Sequence, residues 1–389
     1  MEGTILIEFL IGIGRIFINP LLYVAIIMAI FLGYRRVKRE RRNFNIRLLS
    51  GWSEFSGILR IGFVLPLCVS LLSLVVGLTV PVEFLLVLTV VSIVALLLYV
   101  FHFLSAIVTF SVALGILVVM DWQQWTLSLG SFELAGVNYL NGMTITITLL
   151  AGLLLIVEGV LIKRDGPRFA SPIEEKTKRG LHAVAFFSKK IWLLPVFFIV
   201  PGQVVDAYFP WWPQFTLDSE QFAFVLFPVV IGFQQFTRRT LPVYMYQKLA
   251  RSVIILGEVV VLGGLVSWFN PLVGLIVMVV ACVIRLVIAI VYKRKEHQET
   301  YAVIRSANGA MIAAVLPESP AEKMGLQVGE VIKRVNGQEI YTEGELYEAL
   351  QINAAHCRLE VLNHQNEIRL TQHVVHADDH HRIGLILVH

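Results

Sequence analysis

The sequence predicts a polytopic α-helical membrane region of about nine spans, bounded by eight and ten, followed by a small α+β domain. Three observations carry this expectation. Of the 389 residues, 57% are hydrophobic and only 15% charged, and the mean hydropathy of +0.74 is far above that of a soluble chain of this size. Apolar runs long enough for a hydrocarbon core of about 30 Å recur between short clusters of Lys and Arg. After His297 the pattern changes, and charged, turn-forming and alternating residues replace the long apolar runs.

Residues 1–34 hold an N-terminal apolar segment and the first span, placed at 16–34, with Asn19-Pro20 separating the two and Arg15 in the weaker part. Glu2 and Glu8 stand where a cleavable signal would carry basic residues, so none is expected. Residues 35–56 form a basic loop with Arg35, Arg36, Lys38, Arg39, Arg41 and Arg42, cytoplasmic by the positive-inside tendency. These six are candidate contacts for anionic lipid, since each cation near a headgroup surface contributes roughly 1 kcal/mol. The simpler reading, that they only set topology, stands beside it.

The region 57–162 carries spans at 57–79, 82–100, 103–120 and 142–162. Between the last two lies an external loop with Asp121, Trp122, Trp125 and Glu133. A charged cytoplasmic loop follows at 163–190. The region 191–292 carries spans at 191–209, 222–236, 253–268 and 272–292, with Pro210-Trp211-Trp212-Pro213 at the far interface and Asn270-Pro271 turning the last hairpin. The exit sequence KRKEHQ sends residues 297–389 to the cytoplasm.

A charge inside a span calls for a partner or a function. Glu258 lies about 12 residues before the Asn270-Pro271 turn and Arg285 about 14 after it, so at 1.5 Å per residue they reach similar depth. An ion pair between the last two helices is expected, chiefly as a packing device, with a proton relay or transport role as the rival. Glu158, near the end of its span, is expected to snorkel to the surface. Cys68, Cys282 and Cys357 show no paired spacing, so neither a disulfide framework nor a thiolate metal site is expected. The chain has no H-E-x-x-H, G-x-S-x-G or phosphate-loop motif. No catalytic residue, cofactor, metal or nucleic-acid surface is therefore expected; His373, His376, Asp378, Asp379, His380 and His381 read as a solvated turn.

The C-terminal domain is denser in local signals. Residues 310–316 read as a strand that Pro317 ends. Ser319, Pro320 and Glu322 make a helix start with a capping box, and Gly325 suits the left-handed residue that closes it. Residues 328–335 read as a second strand, and Asn336-Gly337 as a tight turn. Thr342 and Glu345 cap a second helix at 342–351, which places Leu346, Ala349 and Leu350 on one face. Strands at 357–362, 367–375 and within RIGLILVH complete the domain.

The stretch SPAEKMGLQVGEVIKRVNGQEI resembles the bacterial type of PDZ domain, whose signature runs SPA, AGL, GD, then a hydrophobic strand ending in VNG and a following I. The chain departs from it in Glu318 where glycine is common, in Met324 before Gly325, and in Glu330 where aspartate is usual. The resemblance implies a module that captures an extended peptide, often a free C-terminus, as an added strand beside the helix that carries Leu346 and Leu350. Its carboxylate loop is a hydrophobic-Gly-hydrophobic element. Tyr301-Ala302-Val303-Ile304 lies where bacterial domains usually carry it but has alanine in the glycine slot. Ile383-Gly384-Leu385-Ile386 has the better pattern, requires a permuted strand order, and is preferred; its plain alternative is a closing edge strand.

The layout as a whole, with NPLLY and GYRRVKRERR near the N-terminus, a polytopic region, and a terminal PDZ-like domain, is similar to the MinJ family of cell division topological determinants in Gram-positive rods. That resemblance implies a plasma-membrane adaptor at septum and poles that bridges the scaffold DivIVA to the ATPase MinD. Separately, a second copy of the chain is a further candidate partner. The competing classes are a transporter or channel with a regulatory PDZ domain, and a non-catalytic cofactor of a membrane protease.

Overall fold

The computed structural model describes residues 2–60, 64–129, 132–135, 143–201, 215–217, 220–297, 300–352, 356–374 and 383–388. The apolar region opens with helices α1 (Glu2–Gly14), α2 (Pro20–Phe44), α3 (Ser53–Arg60), α4 (Val64–Val76), α5 (Val82–Leu97) and α6 (Ala106–Trp122). A small hairpin of β1 (Thr126–Leu129) and β2 (Phe132–Ala135) precedes α7 (Met143–Asp165). Strands β3 (Ser171–Lys176), β4 (His182–Pro201), β5 (Phe215–Leu217) and β6 (Glu220–Thr237) then lead to α8 (Pro242–Val266) and α9 (Pro271–Glu296).

Four described helices, α2, α7, α8 and α9, are long and apolar enough to cross a membrane. Shorter apolar helices lie at Phe9–Ile18, Val64–Val76, Val82–Leu97 and Ala106–Trp122. The expectation of about nine helical spans is thus not met among the described residues. Helix starts follow local chemistry. Asn19 accepts from the Leu21 amide at 2.9 Å with Pro20 in the first position, and Asn270 accepts from that of Leu272 at 3.0 Å ahead of Pro271.

The largest correction concerns the runs expected to span at 191–209 and 222–236. Where described, residues 191–201 belong to β4 and 222–236 to β6, and the two strands pair antiparallel. Both runs are rich in Val, Ile and Phe, which favour strands. Each also carries a central proline, Pro195 and Pro228, which would break an interior helical turn. The sheet sets the two prolines opposite each other, at one shared position where the ladder goes without either N–H.

An open sheet packed among apolar helices leaves N–H and C=O groups along its edges that need partners. Along β4, Ser70 Oγ accepts from the Phe197 amide at 2.9 Å and the Ile199 carbonyl accepts from the Val80 amide at 2.8 Å. Along β6, the Arg15 guanidinium donates to the Phe224 carbonyl. Trp192, Leu194, Val196, Phe198 and Ile231 are fully buried, and Trp192, Phe233 and Tyr246 form an aromatic file that ties the sheet to α8. The aromatic turn expected at Pro210-Trp211-Trp212-Pro213 lies outside the described residues.

The C-terminal domain comprises β7 (Val303–Ile304), β8 (Ala310–Val315), α10 (Pro320–Lys323), β9 (Val331–Val335), β10 (Gln338–Glu339), α11 (Glu343–Gln351), β11 (His356–Leu362), β12 (Ile368–Val374) and β13 (Leu385–Leu387). Its sheet runs β12-β11-β9-β8-β13, with β10 on β9. Ser319 accepts from the Glu322 amide at 3.3 Å, Thr342 and Glu345 form a full capping box, and Gly325, Asn336 and Gly337 all have positive φ, as the sequence leads one to expect.

Candidate functional site

The C-terminal domain does not hang from a free linker. Val303 and Ile304 pair with Val184 and Ala183 of β4, so β7 continues the edge of β4 that β6 leaves. The Arg238 carbonyl accepts from the Ala302 amide at 2.8 Å, and the Tyr301 hydroxyl reaches Glu175 at 2.8 Å. Tyr301-Ala302-Val303-Ile304, one of the two candidate carboxylate loops, is therefore engaged in clasping the domain to the sheet of the apolar region.

The other candidate, Ile383-Gly384-Leu385-Ile386, lies on the rim of the domain's own sheet. Residues 385–387 run antiparallel to β8 and end the sheet among the described residues. Gly384 has φ +84, and a Cβ there would lie 2.2 Å from that of Ser319, so the position demands glycine. Its carbonyl accepts from the Leu316 amide at 2.8 Å, and that of Ile383 from the Ala321 amide at 3.0 Å. The segment is thereby docked against the SPA corner. Alternation then divides it: Ile383, Leu385 and Leu387 enter the domain core with Leu346, Ala349 and Leu350 of α11, whereas Ile386 and Val388 pack with Val184, Phe186 and Val303. One short strand thus touches the helix beside the candidate groove on one face and the apolar region's sheet on the other. A cavity of about 620 Å³ opens at this seam, lined by Ala313, Ala314 and Pro317 on one side and Arg164 and Lys190 on the other.

The departures from the PDZ signature find their chemistry here. Glu330 is 3% exposed; both of its carboxylate oxygens accept from Arg369 Nη2, at 3.0 and 3.1 Å, and one also accepts from the Gln327 amide at 2.8 Å, charge-assisted bonds that satisfy the buried carboxylate. Glu318 takes the positive φ for which glycine is common, at +61.

The ionic groups of the apolar region sort differently from the expectation. Arg285 donates to Glu158, not to Glu258: Nη2 and Nε reach Oε1 at 2.6 and 3.0 Å. Glu158 is fully buried and also accepts from Ser105 Oγ at 2.6 Å and the Ala106 amide at 3.2 Å, so it does not snorkel. Glu258 is exposed. Matching depth along two helices leaves their facing undetermined, and Arg285 is turned toward α7.

Arg36 is likewise removed from the lipid-contact set. It is 6% exposed, with Glu40 at 2.9 Å, Glu54 at 2.6 Å and Ser53 Oγ at 2.7 Å, which locks α2 to α3. Glu40 also accepts from Ser171 at 3.0 Å and the Leu48 amide at 2.9 Å. The sequence signal was available in the paired acids Glu40 and Glu54, but only the fold shows that they converge.

Cys68, Cys282 and Cys357 are free thiols. No group of three or more metal-binding side chains occurs among the described residues. His376, Asp378, Asp379, His380 and His381 lie outside those residues, while His373 is on β12.

Residues 311–363 match the family model described as PDZ domain. The chain is 30% identical to the cell division topological determinant MinJ of Bacillus subtilis (strain 168), over 98% of this chain and 95% of that protein. It is 24% identical to a probable cell division topological determinant MinJ of Lacticaseibacillus paracasei, over 95% of this chain and 96% of that one. A local similarity, 53% over 51 residues, joins it to a probable periplasmic serine endoprotease DegP-like of Marinomonas sp. (strain MWYL1), covering 13% of this chain and 11% of that protein.

Proposed function

This chain belongs to the family of MinJ cell division topological determinants, and from that membership we propose that it is a multi-pass adaptor of the bacterial plasma membrane. In this reading the PDZ domain faces the cytoplasm and positions division proteins there, bridging a DivIVA scaffold to a MinD-type ATPase at septum and poles. The observation that carries it is similarity along nearly the whole chain, so that membrane region and PDZ domain come to this protein as one unit. In this reading the mode is binding rather than catalysis.

The geometry supports the reading in two ways. Basic ends gather on the side where the PDZ domain sits: Arg238 pairs with Glu175 of β3, Glu296 accepts from the amides of Arg238, Arg239 and Thr240, and Arg39 lies over Phe187 of β4. By the positive-inside tendency that side is cytoplasmic. The β13 rim, entered through Gly384, has the form of a strand-addition edge, while Leu346 and Leu350 of α11 lie in the domain core behind it. The motive for a transporter reading weakens, because Arg285 and Glu158 close on each other inside the bundle.

The test is co-purification from membranes of a host expressing both candidate partners. The full chain is expected to retain DivIVA and MinD, and a chain lacking residues 297–389 to insert normally and lose at least one. Full retention of both by the truncated chain would overturn the role given to the PDZ domain.

A further inference from the structure

At the basic end of α2 a cavity of about 980 Å³ opens between this helix, the segment around Tyr99, and β4. Arg35, Lys38, Arg39, Arg42 and Lys189 line it, and no acidic residue does among the described lining. Arg36 also lines it but is spent on Glu40 and Glu54. Three of the other cations are held by aromatic faces. Lys189 Nζ sits 3.0 Å from the Tyr99 ring centroid and donates to the Tyr99 carbonyl at 2.8 Å, Arg35 lies 5.3 Å from the same ring, and Arg39 lies 4.9 Å from that of Phe187. Arg39 Nε is buried without a hydrogen-bond partner.

Several cations brought together around a hollow, with no carboxylate among them, repel one another unless an anion enters. Burial, reinforced by Arg35 and Arg39, already pushes Lys189 down to about 7. The depth of the site points to the source of the anion. It lies where the apolar run of α2 gives way to its basic run, and its wall includes Phe31, 46% exposed, at the apolar edge, an arrangement that suits the headgroup level of a bilayer.

We propose that this cavity binds the phosphate of an acidic phospholipid, held by Arg35, Arg39 and Lys189, with the exposed Lys38 and Arg42 beside them. The site differs from a diffuse basic loop in three respects: it excludes Arg36, it excludes Arg41, and it recruits Lys189 from a strand far along the chain. It is independent of the adaptor reading.

The experiment measures retention of phosphatidylglycerol and phosphatidylcholine by the purified full chain in detergent, by native mass spectrometry. The wild type is expected to prefer phosphatidylglycerol, R39Q/K189Q to lose that preference about tenfold or more, as two interfacial cations together imply, and R39K/K189R to keep it. R41Q, an equal loss of charge outside the cavity, is expected to stay within about twofold, since no bound phosphate lies beside it. Should R39Q/K189Q not purify as a folded chain, R35Q at an exposed position takes its place. Equal retention of the two lipids, an equal loss in R41Q, or displacement of phosphatidylglycerol by millimolar inorganic phosphate would each overturn the proposal, the last by assigning the cavity to a soluble anion.

Discussion

The molecule holds two sheets in two different surroundings. The β3–β6 sheet is wrapped by helices, and β4 carries buried side chains on both faces, including Trp192, Leu193 and Leu194 in succession. The PDZ sheet ends at β12, where intermediate Arg369, Thr371 and His373 alternate with exposed Ile368, Leu370 and Val374. A strand next to water keeps one face cheap to change, whereas a strand inside a helical bundle has none. The edges differ for the same reason: those of β4 and β6 are met by Ser70, Val80 and Arg15, while no strand among the described residues pairs with the outer edge of β12.

The comparison breaks most visibly on a buried charge. Ile231→Asp, at a fully buried position of β6, is expected to cost more than about 4 kcal/mol and to abolish recovery of folded protein. Leu370→Asp, at a position 58% exposed, is expected to stay within about 0.5 kcal/mol. Thermal melts of the detergent-solubilised chain followed by size-exclusion fluorescence read both, and comparable losses would dissolve the distinction.

A smaller effect sharpens it. Glu158→Leu strands Arg285 inside the bundle and is expected to cost about 3–5 kcal/mol, whereas the double change with Arg285→Leu recovers most of it. A double variant as unstable as the single one would mean that the pair does more than satisfy itself. Glu258→Leu, on an exposed face, serves as the neutral control in the same melts.

In the PDZ domain, Asn336→Ala removes a side chain that donates to the Ala349 carbonyl at 2.9 Å, accepts from the Arg358 amide at 3.0 Å and holds φ +49. A loss of about 1–3 kcal/mol is expected. Gly337 beside it already has φ +89, so Asn336→Gly should recover the part of the loss due to backbone strain.

The smallest effect is chemical. Burial pushes the Cys357 thiol up to about 11 from 9.0, so alkylation at pH 8 should wait for unfolding. The sign of the accompanying stability change follows from the unfolded chain, which ionises first. Cys357 leaves stability untouched below pH 9 and lowers it as pH rises from there toward 11. Rapid labelling of the folded chain at pH 8 would place Cys357 at the surface.

What could be read from the sequence followed the range of the interaction. Ser319, Gly325, Asn336-Gly337 and Thr342 act on backbone within a few residues, so their caps and turns were legible one by one. The β4–β6 hairpin was not, because a strand buried on both faces has the hydropathy of a span and no alternation. Pro195 and Pro228, with the Val, Ile and Phe content of the two runs, were the signals against helices there. Depth alone paired Arg285 with Glu258, but the angle at which a residue leaves its helix depends on neighbours far along the chain. The role of Lys189 is invisible for the same reason, since nothing local connects it to Arg35 and Arg39.

The PDZ domain is clasped to the buried sheet through β7. Ala183 and Ile304 are partners across β4 and β7, and facing residues of antiparallel strands lie about 4.5–5.5 Å apart at Cα, within disulfide reach. In a chain with its three native cysteines changed to serine, Ala183→Cys and Ile304→Cys should cross-link in native membranes under mild oxidation. The control pair, Ala183→Cys with Leu370→Cys on the solvent face of β12, should not. Cross-linking of the first pair no faster than the control would contradict the clasp.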